Sequence, residues 1–452
     1  MPYLFPAVVL SALTLHFWCL NYLLPAAGMV LFLLGFRAMA RENPWFRAGW
    51  VLSLLRALCL FPALVLNTTV WFADSSLSYF LALGSSLLLL ALLVCLWQGL
   101  KALAERTGLP LRTKSAGALV AWDTAVLLLG LLQYQGVFLG WVLLAVYLWL
   151  LYRVYQPFRV LDDHGYAPPA GRVRLPDRWL VGGLSACLAL GLLLGYLLGG
   201  SYPMDWQPAD PAAHTPVAEA KAHLADLGFP QGVLEDLRPK DIAACEGALA
   251  VTVKTEDHPT VTSWTIGAEP PPEELRITSV GVKLPGEGET WRIFHHFQWL
   301  GNPGFYGTEA IQLWPPTRME AAWGIPEGQA FTGQVLYDRD GRVYTAPYFF
   351  LGDQSYTQTD FFGSQQGTDP FAAFSLPREG ENQRGYLSYS IVENKPDYLL
   401  SAWVNYTHQK TWAQYPAKTA MTARMAGGWN GERVFVTIQD ALQFLPDEVG
   451  DE

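Results

Sequence analysis

The first 200 residues carry hydrophobic runs too long and too poor in charge to be the interior of a water-soluble domain. From Leu4 to Phe36 the chain has no Asp, Glu, Lys or Arg over 33 residues. As one helix this run would measure about 50 Å, against a hydrocarbon core of roughly 30 Å. Asn21 and Pro25, with Gly28 following, predict a turn near its middle and hence two short spans, 4–20 and 23–37. The run from Gly117 to Tyr152 is also too long, and Gln133-Tyr134-Gln135-Gly136 predicts its turn. With the clearer runs at 50–66, 77–100 and 179–199, the expectation is an all-α bundle of about seven spans over residues 1–200, the fifth and sixth at 117–133 and 136–152. No cleavable leader is expected, because the first apolar stretch continues into the next without a processing site.

Charge orients this bundle. Loops 37–49, 101–116 and 153–178 hold Arg37, Arg41, Arg47, Lys101, Arg106, Arg112, Lys114, Arg153, Arg159, Arg172, Arg174 and Arg178, whereas the alternate loops hold no Lys or Arg. Cytoplasmic loops are the basic ones. The amino terminus is therefore expected inside, and residues 201–452 outside the cytoplasm of a multi-pass cell-membrane protein. Two ionisable residues fall within spans, Arg56 and Asp123, each about 9 Å deep by the helical rise. An intramembrane ion pair holding spans three and five together is expected of them, since buried charge in a membrane seeks a partner. His16, in the first span, suits a hydrogen bond to a neighbour.

The second half differs in composition. Residues 1–200 hold 13 Lys or Arg and 7 Asp or Glu, and residues 201–452 hold 17 and 33. So acidic a domain is a poor match to nucleic acid. The five cysteines form no disulfide framework, and Cys245 is the only one beyond residue 200, as befits a bacterial cell surface.

Residues 201–213 read as a linker rich in Pro, Asp and Ala. Thr215-Pro216 opens a small helical neck over 214–247. From 248 to 436, short β-branched and aromatic runs broken by Gly, Pro and Asn predict an all-β sandwich or jelly-roll domain. The expected strands are Leu249–Lys254, Leu275–Leu284, Trp291–Leu300, Ala310–Trp314, Gly333–Tyr337, Arg342–Tyr348, Tyr386–Val392, Leu399–Tyr406 and Arg433–Val436. Ile438, Ala441, Leu442 and Leu445 repeat at helical spacing, so residues 437–452 are expected to be a terminal helix with an acidic tail.

Known chemistries find little purchase in this half. Asp338-Arg339-Asp340-Gly341 lies between two strand-like runs and reads as a hairpin turn, since the later ligands of a calcium loop are missing. His295, His296 and His408 are the histidines that suggest metal, but neighbours on a strand face opposite ways, and no zinc spacing accompanies them. Neither a metal nor a cofactor is expected. No nucleophile elbow is present, and Cys245 lacks a local activating group. Glu309, Asp353, Asp360 and Asp369 are too many carboxylates to assign a glycosidase pair.

The most site-like segment runs from Trp299 to Trp314. Its Trp299, Asn302, Phe305, Tyr306, Glu309 and Trp314 combine aromatic faces with amide and carboxylate groups, a set suited to carbohydrate or peptide. The expected function is a membrane protein presenting an extracytoplasmic domain that binds or senses an envelope ligand, alone or with a membrane protein partner. An envelope hydrolase and a small-solute transporter or its accessory are the alternatives.

Overall fold

The computed structural model describes residues 3–12, 19–73, 76–132, 137–168, 176–210, 212–260, 272–286, 288–318, 322–326, 328–359, 364–427, 434–446 and 449. The chain divides into two compact units, Met1–Leu197 and Leu198–Glu452.

The first unit is helical: α1 (Leu4–Ala12), α2 (Leu20–Met39), α3 (Pro44–Leu66), α4 (Val70–Ala73), α5 (Ser76–Thr107), α6 (Lys114–Leu131), α7 (Val137–Asp163) and α8 (Asp177–Gly199). Among the described residues, six of these helices, α2, α3 and α5 to α8, are long and apolar enough to cross a membrane. The first half of the chain is thereby membrane-embedded. Residues 13–18, His16 among them, lie outside the described residues, as do Gln133–Gly136 and Arg172 and Arg174.

The break in the first run falls earlier than Asn21–Pro25. α2 begins at Leu20, behind a left-handed Cys19 with φ of 60°, and runs through Pro25. Pro25 sits in the second turn, where it removes one backbone hydrogen bond. A Cβ at Gly28 would lie 2.5 Å from Ser11 Oγ, and one at Gly35 would lie 2.6 Å from Leu4 Cδ2, so the two glycines let α1 approach α2.

Several expected loops begin as helix. α5 continues to Thr107 and α7 to Asp163, carrying Lys101, Arg106, Arg153 and Arg159 on helical turns. The tight α2–α3 connection is held in two ways. Asn43 caps α3 by accepting from the Phe46 amide at 3.0 Å and donates to the Gly99 carbonyl at 3.0 Å. Arg106 pairs with the buried Glu42 at 2.9 Å.

The second unit opens with β1 (Gln207–Pro208), then α9 (Ala218–Asp226), α10 (Gln231–Asp236) and α11 (Pro239–Ala243). It continues with β2 (Ala250–Pro259), β3 (Glu273–Leu284), β4 (Thr290–Trp299), β5 (Glu309–Trp314), β6 (Trp323–Gly324), β7 (Thr332–Arg339), β8 (Arg342–Ala346), β9 (Phe350–Thr359), β10 (Ser364–Phe374), β11 (Glu381–Glu393), β12 (Leu400–Gln409), α12 (Ala420–Met425) and β13 (Phe435–Phe444).

The strands form two antiparallel sheets, one in the order β1-β8-β7-β11-β4-β3-β2 with β6 beside β11, the other in the order β13-β12-β5-β10-β9. They pack face to face as a sandwich. Leu275, Ile277, Trp291, Ile293, Phe297 and Trp299 from the first meet Ile311, Leu313, Phe374, Val404, Tyr406 and Leu442 from the second. Asp340 and Gly341 both take positive φ (51° and 71°) between Arg339 and Arg342, the two-residue hairpin that Asp-Gly favours.

Three elements differ from expectation. The segment after Phe435 is a strand and not a helix, because Val436, Ile438, Leu442 and Phe444 alternate at period two and Asp440 interrupts that pattern. The intended linker is bound in place: Gln207–Pro208 pairs with β8, and Trp206 packs edge-on against Tyr337 at 4.8 Å. Finally, β9 and β10 form a long hairpin from polar sequence, Gly-Asp-Gln-Ser in one strand and Gln-Gln-Gly-Thr in the other, which carries no hydrophobic alternation.

Candidate ligand cleft on the outer face of the large sheet

Strand alternation sorts the side chains of β4. Trp291, Ile293, Phe297 and Trp299 enter the sandwich, while Arg292, Phe294, His296 and Gln298 face the helical neck. The same alternation places Arg384 and Tyr386 of β11, Arg276 and Thr278 of β3, and Gln334 and Asp338 of β7 on that outer face. The neck covers one end with apolar residues: Leu224, Phe229, Leu234, Leu237 and Ile242 pack on Val280, Val282, Phe294 and Tyr386.

A buried anchor fastens the neck. Asp241 accepts from Arg292 at 2.9 Å, Thr332 at 2.8 Å and Tyr386 at 2.6 Å, and Arg238 joins it at 3.0 Å. Burial alone would raise the Asp241 carboxyl, but the Tyr386 hydroxyl, Arg238 and Thr332 overcome it and hold the group below the usual carboxylate range. The neighbouring Cys245 thiol is pushed up to about 12 by burial.

Beyond the anchor, neck and sheet separate to leave an open cleft of about 1100 Å³. Its floor is a fixed polar network. Arg384 Nε donates to both oxygens of Asp236, at 2.8 and 2.9 Å, and its Nη1 donates to Asp338 at 2.8 Å. His296 Nε2 lies 2.9 Å from Asp236, and Gln334 donates to the Asp236 carbonyl at 2.8 Å. Burial opposes the Arg384 charge, yet Asp236 and Asp338 raise its pKa above the ordinary arginine value. Gln298 donates to Asn382 at 2.7 Å, and Asn382 donates to Asp338 at 2.7 Å. Asn382 is left-handed, with φ of 53°, at a bulge between Glu381 and Arg384 in the β11–β7 ladder. Such an extra residue re-aims the side chains that follow it. Arg342 is exposed on the rim, and Arg276, bound to Asp257 at 2.7 and 2.8 Å, forms part of the wall. Among the described residues that line the cleft there is no Phe, Tyr or Trp.

None of the six residues singled out in the Trp299–Trp314 segment lines this cleft. Trp299 is buried, donates to the Tyr406 hydroxyl at 3.1 Å and meets His408 edge-on at 4.8 Å. Glu309 is fully buried and lies 2.7 Å from His408 Nδ1; burial raises its carboxyl and His408 opposes that rise. Asn302 is exposed but closes its own turn, accepting from Gly304 at 2.7 Å and Tyr306 at 3.1 Å. Phe305 is half-buried beside Gly307. Trp314 lies against the guanidinium groups of Arg318, at 4.4 Å, and Arg424, at 5.4 Å. Trp299 and Glu309 thus come together, with the Asn302 turn and the Trp314 pair elsewhere along the strand and its loops.

In the membrane-embedded unit, Arg56 on α3 is buried, and its Nε and Nη1 have no hydrogen-bond partner among the described residues. Asp123 on α6 acts on it through space, without a contact of 4 Å or less among the described residues.

Sequence reasoning missed Asp236, Asp338, Asn382 and Arg384. One local signal was present: Arg384 and Arg292 interrupt strand-like sequence with a charge, which demands a buried partner. The partners, Asp236 and Asp241, lie in another element far along the chain. His296 and His295 do face opposite ways, with His295 turned inward to Ser279 at 2.8 Å.

No protein-family model matches the chain, and no curated protein matches it. What fold and cleft define is a class: a membrane-embedded helical unit joined to a β-sandwich with a polar cleft.

Proposed function

We propose that the chain is a multi-pass membrane receptor or binding protein whose β-sandwich lies outside the cytoplasm and captures a peptide-like envelope ligand in the cleft. The orientation rests on the loop charges. The ligand class rests on one observation, the composition of the cleft wall. Its donors and acceptors carry charge of both signs (Arg276, Arg342 and Arg384 against Asp236, Glu235 and Asp338), and among the described residues that line it there is no Phe, Tyr or Trp. Sugars are held by aromatic faces together with hydrogen bonds, whereas the amides and terminal charges of a short peptide need paired donors and acceptors.

A second reading has its own observation. Asp236 and His296 form a carboxylate–imidazole couple at the cleft, which is half of a general-base arrangement. Calorimetric titration of the full chain in detergent with short peptides, and separately with oligosaccharides, tests both. Saturable binding of a peptide, weakened about tenfold or more by Gln298→Ala and Arg342→Ala, supports capture. Binding of oligosaccharide alone contradicts the ligand class. Release of product from the peptide replaces capture with hydrolysis.

A further inference from the structure

A second constellation lies at the opposite, inner face of β2. Alternation puts Lys254, Glu256 and His258 on one side of that strand, and β13 brings Asp440 against them, where the edge strands of the two sheets meet. Asp440 is 4% exposed. Its Oδ1 accepts from the Ala441 amide at 2.7 Å and from Lys254 Nζ. Its Oδ2 is buried and, among the described residues, has no hydrogen-bond partner. Facing it at 4.0 Å is His258 Nε2, also buried and also without a hydrogen-bond partner among the described residues. At 4.0 Å the two are beyond hydrogen-bond length and are joined only as a long ion pair, which needs the imidazole protonated.

Two unsatisfied buried ligand atoms that face one another describe a gap with room for a cation. Zinc lies about 2.0–2.2 Å from imidazole nitrogen and carboxylate oxygen, so its ligand atoms stand about 3.4 Å apart in a tetrahedron. The His258–Asp440 gap exceeds that by a fraction of an ångström. A Glu256 carboxylate oxygen completes a set of three ligand atoms, all within 4.8 Å of one another. The Glu256 side chain is 51% exposed and gives the ion a route in from solvent. One nitrogen and two carboxylates suit zinc and its neighbours better than magnesium or calcium, which prefer oxygen alone.

We infer that Glu256, His258 and Asp440 bind a zinc-like divalent cation that clips β2 to β13. Lys254 is the built-in competitor: its ammonium reaches Asp440 and lies 3.2 Å from Glu256, neutralising the carboxylates when no metal is bound. The sequence hides the site, because the Glu-x-His pair on β2 is ordinary until Asp440 joins it from the last strand.

The experiment uses the full chain in detergent, stripped with chelator and titrated with zinc chloride alone. Bound metal is counted by elemental analysis after gel filtration, and the unfolding midpoint of the β domain is followed in parallel. One zinc per chain, with a raised midpoint, is expected. His258→Ala should abolish both effects. Glu256→Gln, at an exposed position that keeps the fold, should weaken binding about tenfold. Lys254→Met should tighten it by about tenfold or more. The inference is overturned if wild type holds no zinc, if His258→Ala binds as wild type does, or if Lys254→Met lowers the midpoint without tightening zinc binding; Lys254 is then the resident cation.

Discussion

Among single residues, His295 sets a pH window. Burial pushes its imidazole down to about 4, against an opposing pull from Asp440. In an unfolded chain the group takes its proton near pH 6.5. The unfolded state therefore binds more protons between these values, and stability, complete above about 6.5, falls as pH drops toward 4. The loss is about 3 kcal/mol at most, from 1.36 kcal/mol per unit. Chemical denaturation of wild type and His295→Gln at a series of pH values should show the slope in wild type and its flattening in the variant; equal slopes would remove the assignment. Asp241 acts in the same direction in a more acidic window, because its pKa too is lowered on folding. Held low, it adds stability above its unfolded value near 3.9 and loses it below. Asp241→Ala leaves Arg292 buried without its carboxylate and should cost about 3–5 kcal/mol, read from the denaturation midpoint at neutral pH.

At the scale of elements, hydrophobic period and turn chemistry were readable in the sequence where burial is one-sided. β4, β7 and β8 follow from their alternation and from Asp340-Gly341. Pattern failed where another force decides. β9 and β10 are held by their mutual ladder, and their polar residues give no alternation to read. In β13 a single buried Asp440 disguised a strand as a helix. α2 runs through Pro25, a residue that reads as a break in sequence, and α1 packs closely on it. That packing makes a prediction: Gly28→Leu must displace Ser11 and the α1 backbone, so it should separate α1 from α2 and lower the thermal midpoint of the detergent-solubilised protein, while Gly84→Leu, with no atom within 4 Å of its Cβ position, should be nearly neutral. Equal effects would contradict the close packing of α1 on α2. The cleft was the least legible feature, because its floor joins Asp236 of α10 to His296, Asp338 and Arg384 of three separate strands.

The whole molecule turns on the orientation of the chain and the occupancy of its cleft. Loop charge predicts residues 201–452 outside the cytoplasm. Protease added to intact cells should degrade the β domain and spare the helical unit, and digestion only after the cells are opened would reverse the topology. The most direct test of the central claim is hydrogen exchange of the full chain in nanodiscs, with and without a peptide that binds it. Capture in the cleft predicts slower exchange over Gln231–Asp236 and around Asn382–Arg384, with β9 and β10 unchanged. Slowing confined to the Asn302–Tyr306 turn would place the ligand elsewhere and contradict the claim.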